Sequence, residues 1–149
     1  MNHLVIYNKK LFGKDYIALM LSGEKTFGSK FTTKRTAPYQ KLQDGDYLYL
    51  KESSGPIRGR VRVKNVANAA LNDPEEVMTF LATHMHDIGI HDEAHLMDIW
   101  QRNAHKKYVC YWAMESPEPV HYPVSVQKND RRVWVAGYEP TEEVSVAFL

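Results

Sequence analysis

Hydrophobic and polar positions change period several times along the chain. Residues 4–7 alternate weakly and are β-favouring, which predicts a first strand. From Lys14 to Ser22 the period becomes helical: Tyr16, Ile17, Met20 and Leu21 share a face, and Gly23 supplies the stop. Thr26 to Thr33 is polar and partly β-branched, and residues 34–45 read as a loop closed by an Asp44-Gly45 turn. Tyr47-Leu48-Tyr49-Leu50 predicts a strand, and Ser53-Ser54-Gly55-Pro56 a turn. Ile57 to Val66 is the clearest strand in the chain.

Asp73-Pro74-Glu75-Glu76 then opens a helix: Asp caps, Pro fits the first turn, and Glu76 stands at a capping-box position. Val77, Phe80, Leu81 and His84 line one face of it, and Gly89 ends it. Asp92 is a second N-cap, before Leu96, Ile99, Trp100 and Asn103 on one face. Lys107 to Met114 is an aromatic-rich strand that Ser116-Pro117-Glu118-Pro119 breaks, and residues 120–127 and 133–136 are further strands. About six short strands, two or three helices and closely spaced turns predict an α+β fold, a small barrel with flanking helices.

Composition narrows the class. A chain of 149 residues suits one domain, 1–149, and 44% apolar residues suffice for one core. Cys110 is the single cysteine, so an internal disulfide and a Cys-based metal site are excluded. Set in the apolar run Val109-Cys110-Tyr111-Trp112, it reads as a buried small hydrophobe. No stretch approaches the ~20 apolar residues of a membrane span. The N-terminus reads as a strand instead of a signal peptide, so a cytoplasmic protein is expected.

The net charge of +1 is too small to imply nucleic acid, so the distribution of charge has to carry that argument. Arg58, Arg60, Arg62 and Lys64 fall at every second position, so an unbroken strand projects all four cations one way, with Val61 and Val63 on the other face. Such a row is relieved either by a phosphate backbone or by acids on a neighbouring strand, Glu52 being one candidate. A second basic group, Lys25, Lys30, Lys34, Arg35 and Lys41, is interleaved with Pro38 and Tyr39. Cations for phosphates and aromatics for base stacking are what a single-stranded nucleic acid site uses. A third group, Lys128, Arg131 and Arg132, precedes Trp134. The balancing acids lie mostly between Asp73 and Asp98.

The histidines are the rival constellation. His84, His86, His91 and His95 cluster beside Asp87 and Asp92. His91 and His95 have the spacing of two metal ligands on a helix, yet His91 precedes the cap at Asp92, and no HExxH pattern occurs. Surface or half-buried histidines, and no metal, are expected. No Gly-x-Ser-x-Gly elbow, phosphate-binding loop or dinucleotide fingerprint is present, and no cofactor is expected. Trp100 and Trp112 sit on apolar faces and read as core; Trp134, beside Arg131-Arg132, is open to either role.

Taken in order, these residues resemble the ASCH family of the PUA-like superfamily. That family carries a helix ending in Gly-x-Lys, followed by positions that are usually Glu and Arg. Here Leu21-Ser22-Gly23-Glu24-Lys25-Thr26 keeps the Gly and the Lys, while Gly28 stands at the Glu position and Lys30 at the Arg position. Asp44-Gly45-Asp46 resembles the family's Gly-Asp turn into a strand, Gly59 to Val66 its following strand, and Pro123 to Val135 the closing strands of one bacterial subgroup. The resemblance implies a β-barrel with a cleft beside the Gly-x-Lys helix end, and RNA or nucleotide ligands. Some bacterial members are amidohydrolases that deacetylate N4-acetylcytidine with a Lys, a Thr and a Glu. The Lys maps onto Lys25, and the Thr, three positions later, onto Gly28. Thr26 or Thr32 stands as a substitute, and Glu93 and Glu76 as candidate carboxylates. Other members are ribonucleases, or parts of transcription and RNA-processing coactivators.

Three readings follow. In the first, RNA or a nucleotide or nucleoside is held in a basic cleft by Lys25, Lys30, Arg35, Tyr39, Lys51, Arg58, Arg60 and Arg132. In the second, a hydrolase acts on a modified nucleoside or on RNA through Lys25 and Thr26. In the third, the acidic helices of residues 73–103 bind a protein.

Overall fold

The computed structural model describes residues 1–8, 14–122 and 133–138. Its elements are β1 (Asn2–Tyr7), α1 (Tyr16–Leu21), β2 (Phe27–Thr32), β3 (Tyr47–Glu52), β4 (Ile57–Ala70), α2 (Pro74–His84), α3 (Glu93–Asn103), β5 (Tyr108–Tyr122) and β6 (Trp134–Ala136). The strands form one six-stranded sheet in the order β2-β5-β4-β3-β1-β6. Among the described residues only the β1–β3 pair is parallel. The result is the expected α+β fold, with the sheet curled into a half-barrel.

Strand alternation sorts the apolar residues onto two faces. Val5, Leu48, Leu50, Val61, Val63, Cys110, Trp112, Met114 and Trp134 form one core with Ile17 and Met20 of α1 and Leu42 of the β2–β3 loop. The neighbouring pair Phe31 and Val109 points the other way, into a second core with Val77, Phe80 and Leu81 of α2. Helix α3 adds only partly buried residues, Leu96, Ile99 and Trp100. The helices thus cover opposite faces of the sheet. Cys110 is fully buried, and burial pushes its thiol up to about 12, so it is an inert packing residue.

Capping residues fix the helix starts. Asp15 accepts from the Ala18 amide at 3.1 Å, so α1 begins at Tyr16 and not at Lys14. Asp73 accepts from the Glu76 amide at 2.9 Å, while the Glu76 carboxylate turns back to the amide of Asn72. Asp73→Ala removes a cap worth about 1 kcal/mol, so Tm in a thermal melt should fall by roughly 2–4 °C. Helix α2 stops at His84, short of Gly89; turns carry the chain to Gly89, whose φ of +80° makes the final reversal.

The chain runs through the proline segment predicted to break β5. Beyond the Phe27–Ala113 pair, β5 has left β2 behind, so the missing N–H groups of Pro117 and Pro119 cost no ladder bonds on that side. The register steps from Arg62–Glu115 to Arg60–Glu118, and Ser116 takes a left-handed φ of 51°, the mark of an extra residue in β5. Of the two further strands predicted, residues 120–122 belong to β5, residues 134–136 form β6, and residues 123–127 lie outside the described residues.

Candidate functional site

The end of α1 builds the most distinctive environment. Gly23, at φ +81°, turns the chain out of the helix, a conformation that L side chains rarely adopt. The Lys25 amide then donates back to the Leu19 carbonyl at 3.0 Å, which brings the Lys25 side chain over α1. Its Nζ sits 5.3 Å above the centre of the Tyr16 ring and donates to the Phe27 carbonyl at 2.9 Å. Among the described residues no carboxylate lies within ion-pair distance of it. Desolvation lowers its pKa to about 8.

Lys25 lines an open cleft of about 360 Å³ together with Tyr16, Leu19, Glu24 and Thr26 on one wall, and the turn residues His86, Asp87, Ile88, Gly89 and His91 on the other. The histidine segment therefore faces the Gly-x-Lys end. Gly89 was the one sequence feature that marked a reversal there. Among the described residues no three His, Cys, Asp or Glu side chains are grouped to hold a metal ion. His84 is engaged elsewhere, stacked on Phe27 at 5.8 Å and packed against Phe80 and Tyr111. The carboxylates named from the resemblance are not at this cleft: Glu76 caps α2 and Glu93 is exposed in the first turn of α3. Glu24 and Asp87 are the ones that line it.

The basic strand β4 is largely neutralised. Leu50 pairs with Gly59 but Lys51 with Ile57, which leaves Arg58 as the extra residue of a bulge. The expected common direction of the four cations fails there: Arg58 reaches Asp15, the cap of α1, at 3.0 Å and Glu52 at 2.8 Å. Arg60 binds Glu118 at 2.7 Å and lies 5.0 Å over the Tyr47 ring; its hydrogen bond to Tyr49 and then that to Glu118 hold its pKa above the usual guanidinium value. Lys64 pairs with Glu115 at 3.6 Å. Arg62 alone of the four makes no ion pair among the described residues.

Two other predicted contacts are buried. Lys51 is 2% exposed and its Nζ donates to the Glu52 carbonyl at 2.6 Å. Tyr39 is 7% exposed, its ring 4.8 Å from that of Tyr108, so it offers no open stacking face. Lys30 lies within β2, paired with Cys110, and Arg35 follows the strand, over the ring of Tyr108, the partner of its last residue Thr32. Arg132, with Lys128 and Arg131, lies outside the described residues. The structure therefore joins Lys25 and Thr26 in one cleft, places Lys30 and Arg35 at a second locus where Tyr39 packs on the Tyr108 ring beneath Arg35, and leaves Arg58, Arg60 and Lys51 outside that cleft.

Sequence reasoning missed a buried polar chain. Trp134 Nε1 donates to His3 Nδ1 at 3.0 Å, and His3 Nε2 lies 2.8 Å from Asp46 Oδ2. An indole nitrogen only donates, so Nδ1 must accept and Nε2 must carry the proton that Asp46 receives. Asp46 also accepts from the Gln43 amide and from the Met1 amino group. Burial opposes its charge, but the bonds from His3, Gln43 and Met1 together hold its pKa below the usual carboxylate value. Trp134 is thereby a core residue, 6% exposed, and not a stacking platform.

The sequence matches no family model and no curated protein. Its structure does match solved ones. ASCH from Zymomonas mobilis is similar with a TM-score of 0.52 at 10% identity, over 82% of this chain and 71% of that one. Two mutant proteins of the same ASCH give TM-scores of 0.52 and 0.53 at 8% and 10% identity, over 79% and 83% of this chain and 70% and 74% of theirs. The fold of this chain is that of an ASCH domain.

Proposed function

We propose that this ASCH-fold domain binds RNA or a nucleotide, with Lys25 as its central contact. The observation that carries the reading is a contrast. Three of the four cations of the β4 row already have carboxylates, whereas Lys25 makes no ion pair among the described residues: its Nζ has the Phe27 carbonyl and the Tyr16 ring, and Lys14, Glu24 and Asp87 line the same open cleft without pairing with it. A partly buried cation that makes no ion pair gains most from an incoming phosphate. Tyr16 beneath it adds an aromatic surface to the same wall.

A second reading has one observation in its favour. A lysine whose pKa is lowered to about 8 can act as a base near neutral pH, and Thr26, His86 and Asp87 share its cleft. This is a hydrolase of a modified nucleoside or of RNA. The hydroxyl that the resemblance places three residues after Lys25 is absent at Gly28, which weighs against it.

The two readings predict opposite pH dependence. For binding, the protonated ammonium is the active form. Affinity for a short single-stranded RNA should then be highest below about pH 8 and fall as Lys25 loses its proton above it. For catalysis, the neutral amine is the active form, and turnover should rise through the same range. Fluorescence anisotropy with an oligouridylate between pH 6.5 and 9.5, beside mass spectrometry of N4-acetylcytidine and RNA digests, reads both. Lys25→Met should weaken RNA binding by about tenfold, the size of one lost charge-assisted contact, and remove the pH step. A product that vanishes in Lys25→Met makes the domain an enzyme. Neither binding nor product rejects both readings and returns attention to helices α2 and α3 as a protein-binding surface.

A further inference from the structure

We propose a second anion site at the far end of β2, formed by Lys30, Lys106 and Thr32 with Arg35 at its rim, that takes a backbone phosphate of a single-stranded nucleic acid. It deepens the reading above and rests on it: the ligand is a strand several nucleotides long, and not a lone nucleoside. Lys30 and Thr32 are two apart in β2 and so share a face. Their register partners are Cys110 and Tyr108, which share that face too. The Lys107 amide donates to the Thr32 carbonyl, which ties the segment carrying Lys106 to the same strand end.

Three observations point to an anion-binding site. None of Lys30, Arg35 and Lys106 has an ion pair among the described residues, unlike most of the β4 row. The Lys30 ammonium is disfavoured first by burial and then by the charge of Lys106, whose neighbour Lys107 is hydrogen-bonded to the end of the same strand. The Thr32 hydroxyl, on a residue 8% exposed, has no hydrogen-bond partner among the described residues. A buried hydroxyl without a partner is costly, and a phosphate oxygen is an acceptor it can serve. Arg35 is positioned by Tyr108, over whose ring it lies at 5.6 Å.

The span fixes the ligand class. The Lys25 Nζ sits on the Phe27 carbonyl at the start of β2, and Thr32 ends that strand five residues on, about 16 Å at the usual rise. A mononucleotide cannot touch both, whereas a short strand running beside the edge strand β2 can.

The test is length dependence. Anisotropy competition with uridine monophosphate, a dinucleotide and a pentauridylate should show affinity of the wild-type protein rising with length. In Lys30→Met/Lys106→Met that gain should largely disappear, with pentauridylate binding weakened by about tenfold or more, and the slope of log K against log salt reduced by about 1.4 for two lost single-strand phosphate contacts. Thr32→Val keeps shape and strands no partner, so it should fold normally and still weaken the pentauridylate by about threefold, the loss of one modest hydrogen bond. Lys30→Arg/Lys106→Arg, which keeps the charge, should retain most of the length gain and shows that the loss is not misfolding. If Lys25→Met weakens RNA binding but the Met pair and Thr32→Val leave the length gain intact, the second site is wrong and the reading of the Lys25 cleft stands. If the wild-type protein binds no oligonucleotide, both fall together.

Discussion

Asp46→Ala should destabilise the protein by about 3 kcal/mol and lower Tm by roughly 6–12 °C, the largest loss expected from any polar substitution here. Asp46 is 5% exposed and accepts from three donors: the His3 imidazole, the Gln43 amide and the Met1 amino group. Removing it leaves the His3 Nε2–H buried with no acceptor, and an orphaned buried donor costs about 1–3 kcal/mol. His3 cannot repair this by changing tautomer. Moving the proton to Nδ1 would set it against the Trp134 N–H, which can only donate. Asp46→Asn should cost less, since an amide oxygen still accepts from His3 and Gln43 while its NH₂ group faces the Met1 amino group. Urea titration of the three proteins checks the order. Acid gives the same information by linkage. A carboxylate held below its ordinary pKa contributes stability above the unfolded value, and that contribution is lost as pH falls through the folded value. Wild-type stability should therefore drop more steeply than that of Asp46→Asn below about pH 4, the ordinary range of an unfolded carboxylate.

Local rules read most elements of this fold and fail where the cause is distant. Asp15, Asp73 and Asp92 act within three or four residues, and each caps the helix it precedes. Alternation placed Val61 and Val63 in the core. It could not place Arg58, because the bulge that redirects this side chain depends on the register against β3, a partner chosen by the whole sheet. It also could not foresee that Pro117 and Pro119 lie where β5 has lost one neighbour. The same limit governs the site. Gly23 and Lys25 were legible because a helix end and its next residues are contiguous. The opposite wall, from His86 to His91, is some sixty residues away and reads only as a histidine cluster until the fold turns it toward Lys25. The Trp134–His3–Asp46 chain joins residues 131 and 43 positions apart, beyond any spacing argument. Tyr39 shows the converse: a loop tyrosine among cations looked exposed, but the loop folds onto the sheet and closes it against Tyr108.

Gly28→Thr, which supplies the hydroxyl that the N4-acetylcytidine hydrolases carry three residues after their Lys, should destabilise this protein by about 3 kcal/mol, at the upper end of overpacking. A Cβ at Gly28 would meet Cε2, Cζ2 and Nε1 of Trp112 at 2.6 Å. The indole cannot move aside easily: it is 2% exposed and packs edge-on against Trp134 at 5.4 Å, which is itself tied to His3. Gly28 and Trp112 also face each other directly in the β2–β5 register. The departure from the motif and the tryptophan are thus one structural fact: the indole fills the space a side chain at position 28 would use. Trp112→Leu alone should cost about 2–4 kcal/mol by leaving a cavity. The double variant should be more stable than the sum of the two losses by 1 kcal/mol or more, because each change accommodates the other, as coupled neighbours in contact do. Additive losses in urea titrations would mean that Trp112 is not what forbids a side chain at Gly28. The double variant also joins stability to chemistry, since it sets a hydroxyl on the strand that follows Lys25 without the clash. Deacetylation of N4-acetylcytidine appearing in it, and absent from the wild type, would mean that the cleft kept the base and lost only the hydroxyl to the indole.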